Sequence, residues 1–431
     1  MNWLKAPVLV LLTGLATLAA ATASFRVLGF SVAGYAWVAP LVVAILVVLR
    51  QPARVLFPWW IWVPWSLFLI VYLTGAQAPH ALQRTAMMLS PVVVGIAASA
   101  FRVTSASGWA TLKFLRVLGI AILFAIAWNT GFLSTGILPE YGGSAASVMT
   151  ASLLAAAFAT EYSFGRRSSL GWWGSMQFVP FIALTRTGII ATALTLPFCL
   201  GPVKLGKRIL SLGLIAFGGI LLFNSPRMQA RMFYSGAGTL SELSFENPDF
   251  ATSGRSIMWP EFTQEIEKKP WFGHGANKSE ILADIVNPGI EHPHNDWLRL
   301  LYDYGFVGAA LFGLTLLGQM LHALVASRKS RGLAKVFFLV AASSFVVLPV
   351  FMLSDNIVLY AAFFGNLQFA LLGEAYALAD RPQEVQPAVA SARDSRGAED
   401  GGYGGHHWNR LDRFKWRLSG DVNDLKGGDP S

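Results

Sequence analysis

The sequence contains one long polar stretch, residues 253–308, which includes SGRSIMW at 253–259, KKPWFGHGANKSE at 268–280 and EHPHNDWLRLLYDYGFVG at 291–308. It combines Arg, three His, several acids and turns bounded by Gly, and apolar sequence lies on both sides of it. Membrane proteins seldom keep so many ionisable groups beside a bilayer without using them. The pattern predicts an all-α polytopic membrane protein of about twelve transmembrane helices, with its chemistry in one large, mainly helical loop.

The composition agrees with this fold class. Of the 431 residues, 54% are hydrophobic and 13% are charged, whereas about a quarter of the residues in soluble domains are charged. Apolar runs of the roughly 20 residues that cross a bilayer recur along most of the chain. The single cysteine, Cys199, excludes an internal disulfide. The apolar N-terminal run lacks a convincing cleavage site, so we interpret it as the first transmembrane helix.

The short connections between the apolar segments predict the orientation of the chain. Lys and Arg follow each even-numbered segment, as Arg50 and Arg54 follow the second and Arg166 and Arg167 follow the sixth. Because Lys and Arg accumulate in cytoplasmic loops, we expect both termini in the cytoplasm and the 224–303 connection in the periplasm, at a bacterial inner membrane. The predicted segments are 6–23, 32–50, 55–74, 86–101, 113–133, 146–161, 170–185, 187–203, 208–223, 304–325, 333–353 and 356–379.

Net charge supports the same orientation. Residues 224–303 contain seven Lys or Arg and eleven Asp or Glu, a net charge of −4, whereas the whole chain carries +9. The basic excess therefore lies on the predicted cytoplasmic side, which argues against a nucleic-acid partner. We expect four parts: transmembrane helices at 1–223, a periplasmic catalytic loop at 224–303, further transmembrane helices at 304–379, and a disordered cytoplasmic tail at 380–431.

Within the loop, two helices are predicted to position the polar residues. Ser253 or Thr252 is expected to cap a helix from about residue 255 to about 268, which the following Lys and Pro end. A second helix begins near Trp297, with Asn295 or Asp296 as its cap. His294 is thereby expected at a helix N-terminus near the outer face of the bilayer.

A polar loop against a membrane suits a substrate that is half lipid and half sugar, such as a glycan carried on a polyprenyl diphosphate. Transfer of that glycan requires a base for the acceptor hydroxyl, and His294 is the candidate because a neutral imidazole takes up protons near neutral pH. The alternative is a structural His that packs a helix end. The departing diphosphate requires cations, and Arg holds phosphate oxygens through two parallel bonds. Arg84, Arg186 and Arg255 are the candidates, and snorkelling to lipid headgroups is the alternative.

Several of these residues lie in motifs. Gly273-His274-Gly275, His294-Asn295-Asp296-Trp297-Leu298 and Leu301-Tyr302-Asp303-Tyr304-Gly305 resemble the signature block of the O-antigen ligase family, and Thr185-Arg186-Thr187-Gly188 resembles its Ser-Arg-Thr-Gly motif with Thr in place of Ser. The resemblance covers about a quarter of the chain. It implies that His294 is the base, that Arg186 and Arg255 hold the diphosphate of an undecaprenyl-linked donor, and that the transfer uses no metal or cofactor.

Other polar residues of the loop are expected to bind the acceptor or sugar, or to orient the base. A metal site is the rival interpretation for His292, His294 and Asp296, but metal sites draw on dispersed ligands with supporting hydrogen bonds, and nothing else in the sequence completes such a set. The alternative interpretation of Asp303 is an ordinary surface carboxylate. The alternative interpretation of Arg299 is a side chain that only contacts lipid headgroups. The candidates for acceptor, sugar or orienting contacts are His274, His292, Asn295, Asp296, Arg299 and Asp303.

The sequence leaves the acceptor open. A ligase would use a lipid A–core sugar, a polymerase another lipid-linked repeat unit, and a protein glycosyltransferase a Ser or Thr. No carboxylate pair suggests a covalent glycosyl intermediate, so an inverting displacement is favoured. A transporter is the more distant alternative, because twelve helices with both termini inside are common in transporters. Ionisable residues are scarce within the predicted helices, and Asp355 falls in the outer connection between the last two.

Overall fold

The computed structural model describes residues 2–21, 26–27, 30–75, 78–131, 145–290, 292–359 and 364–380. Over these residues the protein is predominantly helical, as predicted. A pair of two-residue antiparallel strands, β1 (Arg26–Val27) and β2 (Phe30–Ser31), is an addition that the sequence did not predict. The predicted disordered tail lies, apart from Asp380, outside the described residues.

Sixteen α-helices occur in the described ranges. They are α1 (Val8–Ala21), α2 (Val32–Tyr35), α3 (Val38–Arg50), α4 (Val63–Thr74), α5 (Ala81–Ala100), α6 (Ser105–Asn129), α7 (Ala145–Ser163), α8 (Ser168–Ile182), α9 (Arg186–Leu194), α10 (Leu205–Phe223), α11 (Pro226–Met232), α12 (Arg255–Lys268), α13 (Lys278–Val286), α14 (Asp296–Lys329), α15 (Gly332–Met352) and α16 (Gly365–Ala379). Single 3₁₀ turns lie at Asn2–Lys5, Pro52–Arg54, Trp59–Trp62, Leu240–Glu242 and Ile357–Leu359.

A helix overlaps each of the twelve predicted transmembrane segments. Among the described residues, five helices are long and apolar enough to cross a membrane: α5, α6, α10, α14 and α15. The chain is therefore a helical, multi-pass membrane protein, whereas the number of its spans stays a prediction. The eighth predicted segment is too long, because α9 ends at Leu194 and the following turns contain Pro197 and Pro202, which cannot supply backbone donors to a helix.

The centre of the bundle is formed by the C-terminal helices and α5. Helix α16 packs along α5 and α15, and α15 also packs against α14 and α7. The approach of α16 to α5 is close, since a Cβ on Gly373 would lie 2.4 Å from the Gly95 carbonyl oxygen. Small residues allow such contacts between membrane helices. Helix α10 differs from its neighbours because it has no buried residue. Its main contacts are with the adjacent α9 and α11.

The large connection, residues 224–303, has its own small core on one end of the bundle, which we call the loop side. Met258 and Phe262 of α12 pack with Ala283 of α13 and Tyr302 of α14. Helix α12 has the predicted bounds, and its N-cap position is Gly254, with φ of 81° in a left-handed turn that Gly adopts at low cost. The hydroxyl of Thr252 accepts a hydrogen bond from Ser256 N at 3.3 Å, so Thr252 satisfies a first-turn N–H group as predicted, although it lies two residues before the N-cap position.

Helix α14 begins in the loop and continues into the bundle. The side chain of Asn295 accepts a hydrogen bond from Leu298 N at 3.1 Å, which confirms the predicted cap. The helix is interrupted at Gly305, where φ is 67° and ψ is −172°. The first nine residues of α14 therefore belong to the loop, and the rest enter the bundle.

Candidate active site

The segment Ser354–Asn356 connects the candidate residues of the loop. Arg255 Nη2 donates to the Ser354 carbonyl oxygen at 2.9 Å, and the hydroxyl of Ser354 is hydrogen-bonded to that of Thr187. His294 faces the next two residues of the same segment, Asp355 and Asn356. Four parts of the chain, near residues 186, 255, 294 and 355, thus meet at one place on the loop side.

His294 lies immediately before the cap residue of α14, as predicted. Its Nδ1 is 3.9 Å from Asp355 Oδ1 and 3.4 Å from Asn356 Nδ2. The side chain is 38% exposed, so a substrate can reach part of the ring. Its φ is 51°, in the left-handed region that residues other than Gly rarely adopt. A partly exposed imidazole beside a carboxylate has the arrangement that a general base requires.

Arg186 and Arg255 begin two helices that point at the same turn. Arg186, the first residue of α9, donates from Nη2 to the Ala251 carbonyl oxygen at 2.8 Å, and its guanidinium lies 5.4 Å from the centre of the Phe250 ring. Arg255, the first residue of α12, donates from Nη1 to the Thr252 carbonyl oxygen at 3.2 Å. Adjacent backbone carbonyls therefore hold the two side chains side by side.

These two guanidiniums form a cation cluster with Arg231 of α11. Burial, followed by the charges of Arg255 and Arg231, lowers the pKa of Arg186 to about 10. The pKa of Arg255 is also lowered, mainly by burial, although Asp355 opposes this effect. In the described part of the chain, Arg186 Nη1 and Arg255 Nε are buried without a hydrogen-bond partner. Neighbouring guanidiniums with unused hydrogen-bond donors are typical of a site that binds an anion.

Arg84 has a different environment. Its Nε donates to Glu280 Oε1 at 2.7 Å, and Glu280 also accepts a bond from Asn277 Nδ2 at 2.8 Å. His292 Nδ1 lies 3.7 Å from the same carboxylate oxygen. Arg84 and His292 thus share Glu280, which ties the start of α5 to α13. The contacts of Arg84 do not include the cation cluster of Arg186, Arg231 and Arg255.

A buried row of charges supports the start of α14. Arg299 is 1% exposed and lies 3.9 Å from Asp296 and 3.7 Å from Asp303. Asp303 is fully buried and accepts bonds from the backbone and hydroxyl of Ser279 at 2.7 and 2.9 Å. The headgroup alternative for Arg299 and the surface alternative for Asp303 are therefore wrong. Asp296 accepts a bond from Val358 N at 2.7 Å, which joins α14 to the segment that carries Asp355.

His274 and Asn295 have structural contacts. The imidazole of His274 stacks on Tyr302 with ring centres 4.3 Å apart, and its Nε2 is 2.8 Å from the Glu265 carbonyl oxygen. Asn295 is buried and caps α14. Both contacts lie within the loop, and their roles towards a sugar stay predictions.

Sequence reasoning missed Asp355 and Asn356 as partners of His294, and Arg231 as a member of the cation cluster. In the sequence, Asp355 is only a rare acid between the last two predicted segments. Its isolation in apolar sequence was a usable signal, because charged residues beside membrane helices usually have a function. Arg231 carried a similar signal, since it is a cation on the side where the orientation rule expects few.

No group of three or more His, Cys, Asp or Glu suited to a metal ion occurs in the described ranges. The three residues of the rival metal interpretation have different neighbours. His292 lies near Glu280, His294 near Asp355, and Asp296 accepts from Val358 N.

Comparison with known proteins identifies part of the chain. Residues 170–313 match the family described as O-antigen ligase, whereas no curated protein matches the chain. The matched segment contains Arg186, Arg231, Arg255 and His294. It ends before Ser354–Asn356, so the assignment of that segment to the site rests on geometry. The match confirms the resemblance seen in the motifs: residues 170–313 are similar to the O-antigen ligase family.

Proposed function

We propose that the protein is a periplasmic-facing glycosyltransferase that moves a glycan from undecaprenyl diphosphate to an acceptor hydroxyl, with a lipid A–core sugar as the acceptor. The observation that supports this proposal most directly is that a candidate base and a cation cluster lie next to each other. A half-exposed imidazole, His294, and one member of the cation cluster, Arg255, contact the same short segment, Ser354–Asn356. Arg186 lies beside Arg255, and both have buried donors without a partner in the described residues. Glycan transfer from a diphosphate requires both groups at one place.

In this mechanism His294 is the general base. Asp355 lies beside Nδ1 and favours the tautomer with the proton on that nitrogen, so that Nε2 keeps its lone pair and takes the proton of the acceptor hydroxyl. The acceptor oxygen then forms a bond to the anomeric carbon as the bond from that carbon to the diphosphate oxygen breaks. The electron pair of the broken bond stays with the diphosphate. One displacement of this kind inverts the anomeric centre.

The cation cluster stabilises the leaving group. Arg186 and Arg255 bind the diphosphate oxygens with donors that have no partner in the described part of the chain, and Arg231 adds a third charge nearby. Negative charge on the bridging oxygen increases as the glycosidic bond breaks. Fixed cations in a partly buried site stabilise that charge more than water does.

The alternative acceptor is a second lipid-linked repeat unit, which would make the protein a polymerase of O-antigen or exopolysaccharide. The same base and the same cation cluster serve either reaction, so the two differ in the acceptor alone. A polysaccharide or lipid transporter is the more distant alternative.

The test is reconstitution in liposomes with undecaprenyl-diphosphate repeat units, with and without lipid A–core, followed by sizing of the products. A single transfer that requires lipid A–core supports the ligase, and a ladder that grows by one repeat without it supports the polymerase. His294→Asn should abolish either product and leave donor binding intact, because Asn tolerates the left-handed backbone at this position. Transfer by His294→Asn at the wild-type rate would contradict the assigned base.

A further inference from the structure

An exposed group of aromatic residues, which we call the aromatic patch, lies where the loop meets the bundle. Trp271 and Phe272, in the turn that follows α12, are 66% and 61% exposed, and Phe306 of α14 is 50% exposed. The rings of Trp271 and Phe306 contact each other, with centres 6.3 Å apart. Aromatic side chains of this size are costly to leave in water, so their grouping indicates a surface that has a partner.

The length of α14 places the aromatic patch at the edge of the hydrocarbon core. Beyond the interruption at Gly305, the helix continues from Phe306 to Lys329, and α14 is one of the helices that are long and apolar enough to cross a membrane. At 1.5 Å per residue this part is about 36 Å long, slightly longer than the roughly 30 Å of the hydrocarbon core. Arg328 and Lys329 favour one headgroup region, so Phe306 lies at the level of the opposite one.

The aromatic patch also continues an exposed apolar face of α14. Val307, Leu314 and Leu321 are exposed and are spaced by seven residues, so they lie on one face of the helix. Val307 N donates to the Trp271 carbonyl oxygen at 3.1 Å, which brings the turn against the first residue of this face. Lipid chains cover the exposed apolar face of a helix that crosses a membrane, and the patch is continuous with that surface.

Backbone hydrogen bonds hold the turn in this position. The hydroxyl of Tyr72, near the end of α4, donates to the Phe272 carbonyl oxygen at 2.6 Å. Gly273 N donates to the Lys269 carbonyl oxygen at 3.0 Å, which closes the turn on the end of α12. The exposure of the Trp271 and Phe272 rings therefore follows from a fixed backbone that is bonded to a helix of the bundle.

The charges beside the aromatic patch balance each other. Lys268 and Lys269 directly precede the turn and are exposed, but Lys268 pairs with Glu265 at 2.5 Å, and Glu267 is their neighbour in the sequence. Two cations and two acids leave no net attraction for an anionic headgroup. The surface therefore fits the apolar part of a lipid and not a particular headgroup charge.

We propose that the aromatic patch is a membrane anchor, with Trp271, Phe272 and Phe306 inserted between the headgroups and the acyl chains of the leaflet on the loop side. Trp and other aromatic side chains favour this boundary because it is apolar on one side and wet on the other. Helix α14 begins shortly after His294, so an anchor at its interruption fixes the depth of the loop relative to the bilayer. The proposal requires only the helical membrane class and is independent of the proposed reaction.

The experiment measures the depth of a nitroxide label in the full-length protein, reconstituted in phosphatidylcholine liposomes without substrate. In a Cys199→Ala background, Phe272→Cys and, separately, Phe306→Cys carry the label. Its collision rates with oxygen and with a water-soluble nickel complex are measured by power saturation of the EPR signal. Oxygen concentrates in the bilayer and the nickel complex in water. The ratio of the two rates should therefore be several-fold higher at both positions than at Thr263→Cys, an exposed position of α12.

Substitutions of Trp271 provide a matched pair of variants. With the label on Phe272→Cys, Trp271→Glu should lower the ratio towards the value at Thr263→Cys, because a carboxylate is costly to place in the bilayer. Trp271→Tyr should preserve the ratio, since Tyr also favours the interface. Addition of anionic lipid to the liposomes should leave the ratio unchanged.

Three results would overturn the proposal. Ratios at positions 272 and 306 equal to that at Thr263→Cys would place the aromatic patch in water. Low collision rates with both reagents would identify a protein surface, such as a second copy of the chain, as the occupant. A high ratio that appears only with anionic lipid would assign the contact to Lys268 and Lys269.

Discussion

Three residues beside the candidate site have left-handed backbone conformations although they are not glycine. Leu184, Ser253 and His294 have φ values of 49°, 56° and 51°. The first two lie two residues before Arg186 and Arg255, and the third is the proposed base. Each such residue costs on the order of 1–3 kcal/mol and persists where the surrounding structure determines it. The tight turns place Arg255 and His294 against the segment Ser354–Asn356 and Arg186 beside Arg255.

Asp355 is predicted to position His294. Asp355→Asn should lower kcat by roughly 10- to 100-fold, the range seen when a group that orients a functional imidazole is removed, and should leave the KM for donor unchanged. Asp355→Glu should recover part of the rate. The control is Asp249→Asn, because Asp249 is an acid of the same loop whose carboxylate binds Ser235. A variant that loses donor binding and rate together would contradict a role through His294.

The affinity for the donor is predicted to fall at high pH, because Arg186 loses its charge there. Burial and two neighbouring Arg lower its pKa to about 10, so the cation is present below that pH and is lost as the pH rises through it. The affinity for inorganic diphosphate should therefore fall about tenfold per pH unit above this value. Binding can be followed by competition with labelled donor between about pH 8 and 11. Arg186→Met should bind weakly at every pH, and an alkaline fall that persists in that variant would assign it to another group.

At the scale of elements, the turn at 270–275 and the interruption of α14 are built against each other. Phe306 N and Val307 N donate to the carbonyl oxygens of Pro270 and Trp271 at 2.7 and 3.1 Å. A Cβ on Gly305 would lie 2.3 Å from the Trp271 carbonyl carbon. The two backbones are in contact because neither Gly273 nor Gly305 has a side chain. This contact fixes the angle at which the loop meets the bundle.

Gly305→Ala is predicted to destabilise the protein by more than about 3 kcal/mol, because the backbone region at Gly305 is almost restricted to Gly and the new methyl meets backbone atoms. The measurement is the thermal unfolding of detergent-solubilised protein. Gly313→Ala in the same helix is the matched control, since its Cβ would meet nothing closer than 3.9 Å, and Ala is a better helix former than Gly. Equal unfolding temperatures for the two variants would show that the close backbone contact at Gly305 does not contribute this stability.

For the whole molecule, the distribution of Lys and Arg predicts the orientation. In a Cys199→Ala background, Leu240→Cys should react with a membrane-impermeant maleimide in intact spheroplasts, because residues 224–303 are expected outside. Lys204→Cys, between α9 and α10, should react only after permeabilisation. Both positions are exposed. The reverse pattern would place the loop, and the proposed site with it, in the cytoplasm.

Buried acids within the bundle bear on the transporter alternative. Glu161 is fully buried and pairs with Arg116 and Arg166, and Glu374 is 1% exposed and accepts a hydrogen bond from Thr111 at 3.0 Å. Glu161 lies two residues before the end of α7, and Glu374 lies five residues before the end of α16. Transport sites generally place ionisable residues near the middle of the bilayer. Their position therefore fits a stabilising role better than a transport path.

The sequence by itself determined the helical membrane class, because apolar runs and charge bias are local properties that need no partner. It also determined the bounds of α12, a helix cap at Asn295 or Asp296, and the motifs around Arg186 and His294. Only the tertiary structure decided which residues meet. Asp355 lies 61 positions beyond His294 in the sequence, and no local pattern encodes that pairing. Likewise, Arg299 and Asp303 look like surface charges by sequence, but the packing of α12 and α13 on α14 buries them, since burial is a property of neighbouring elements and not of the residues themselves.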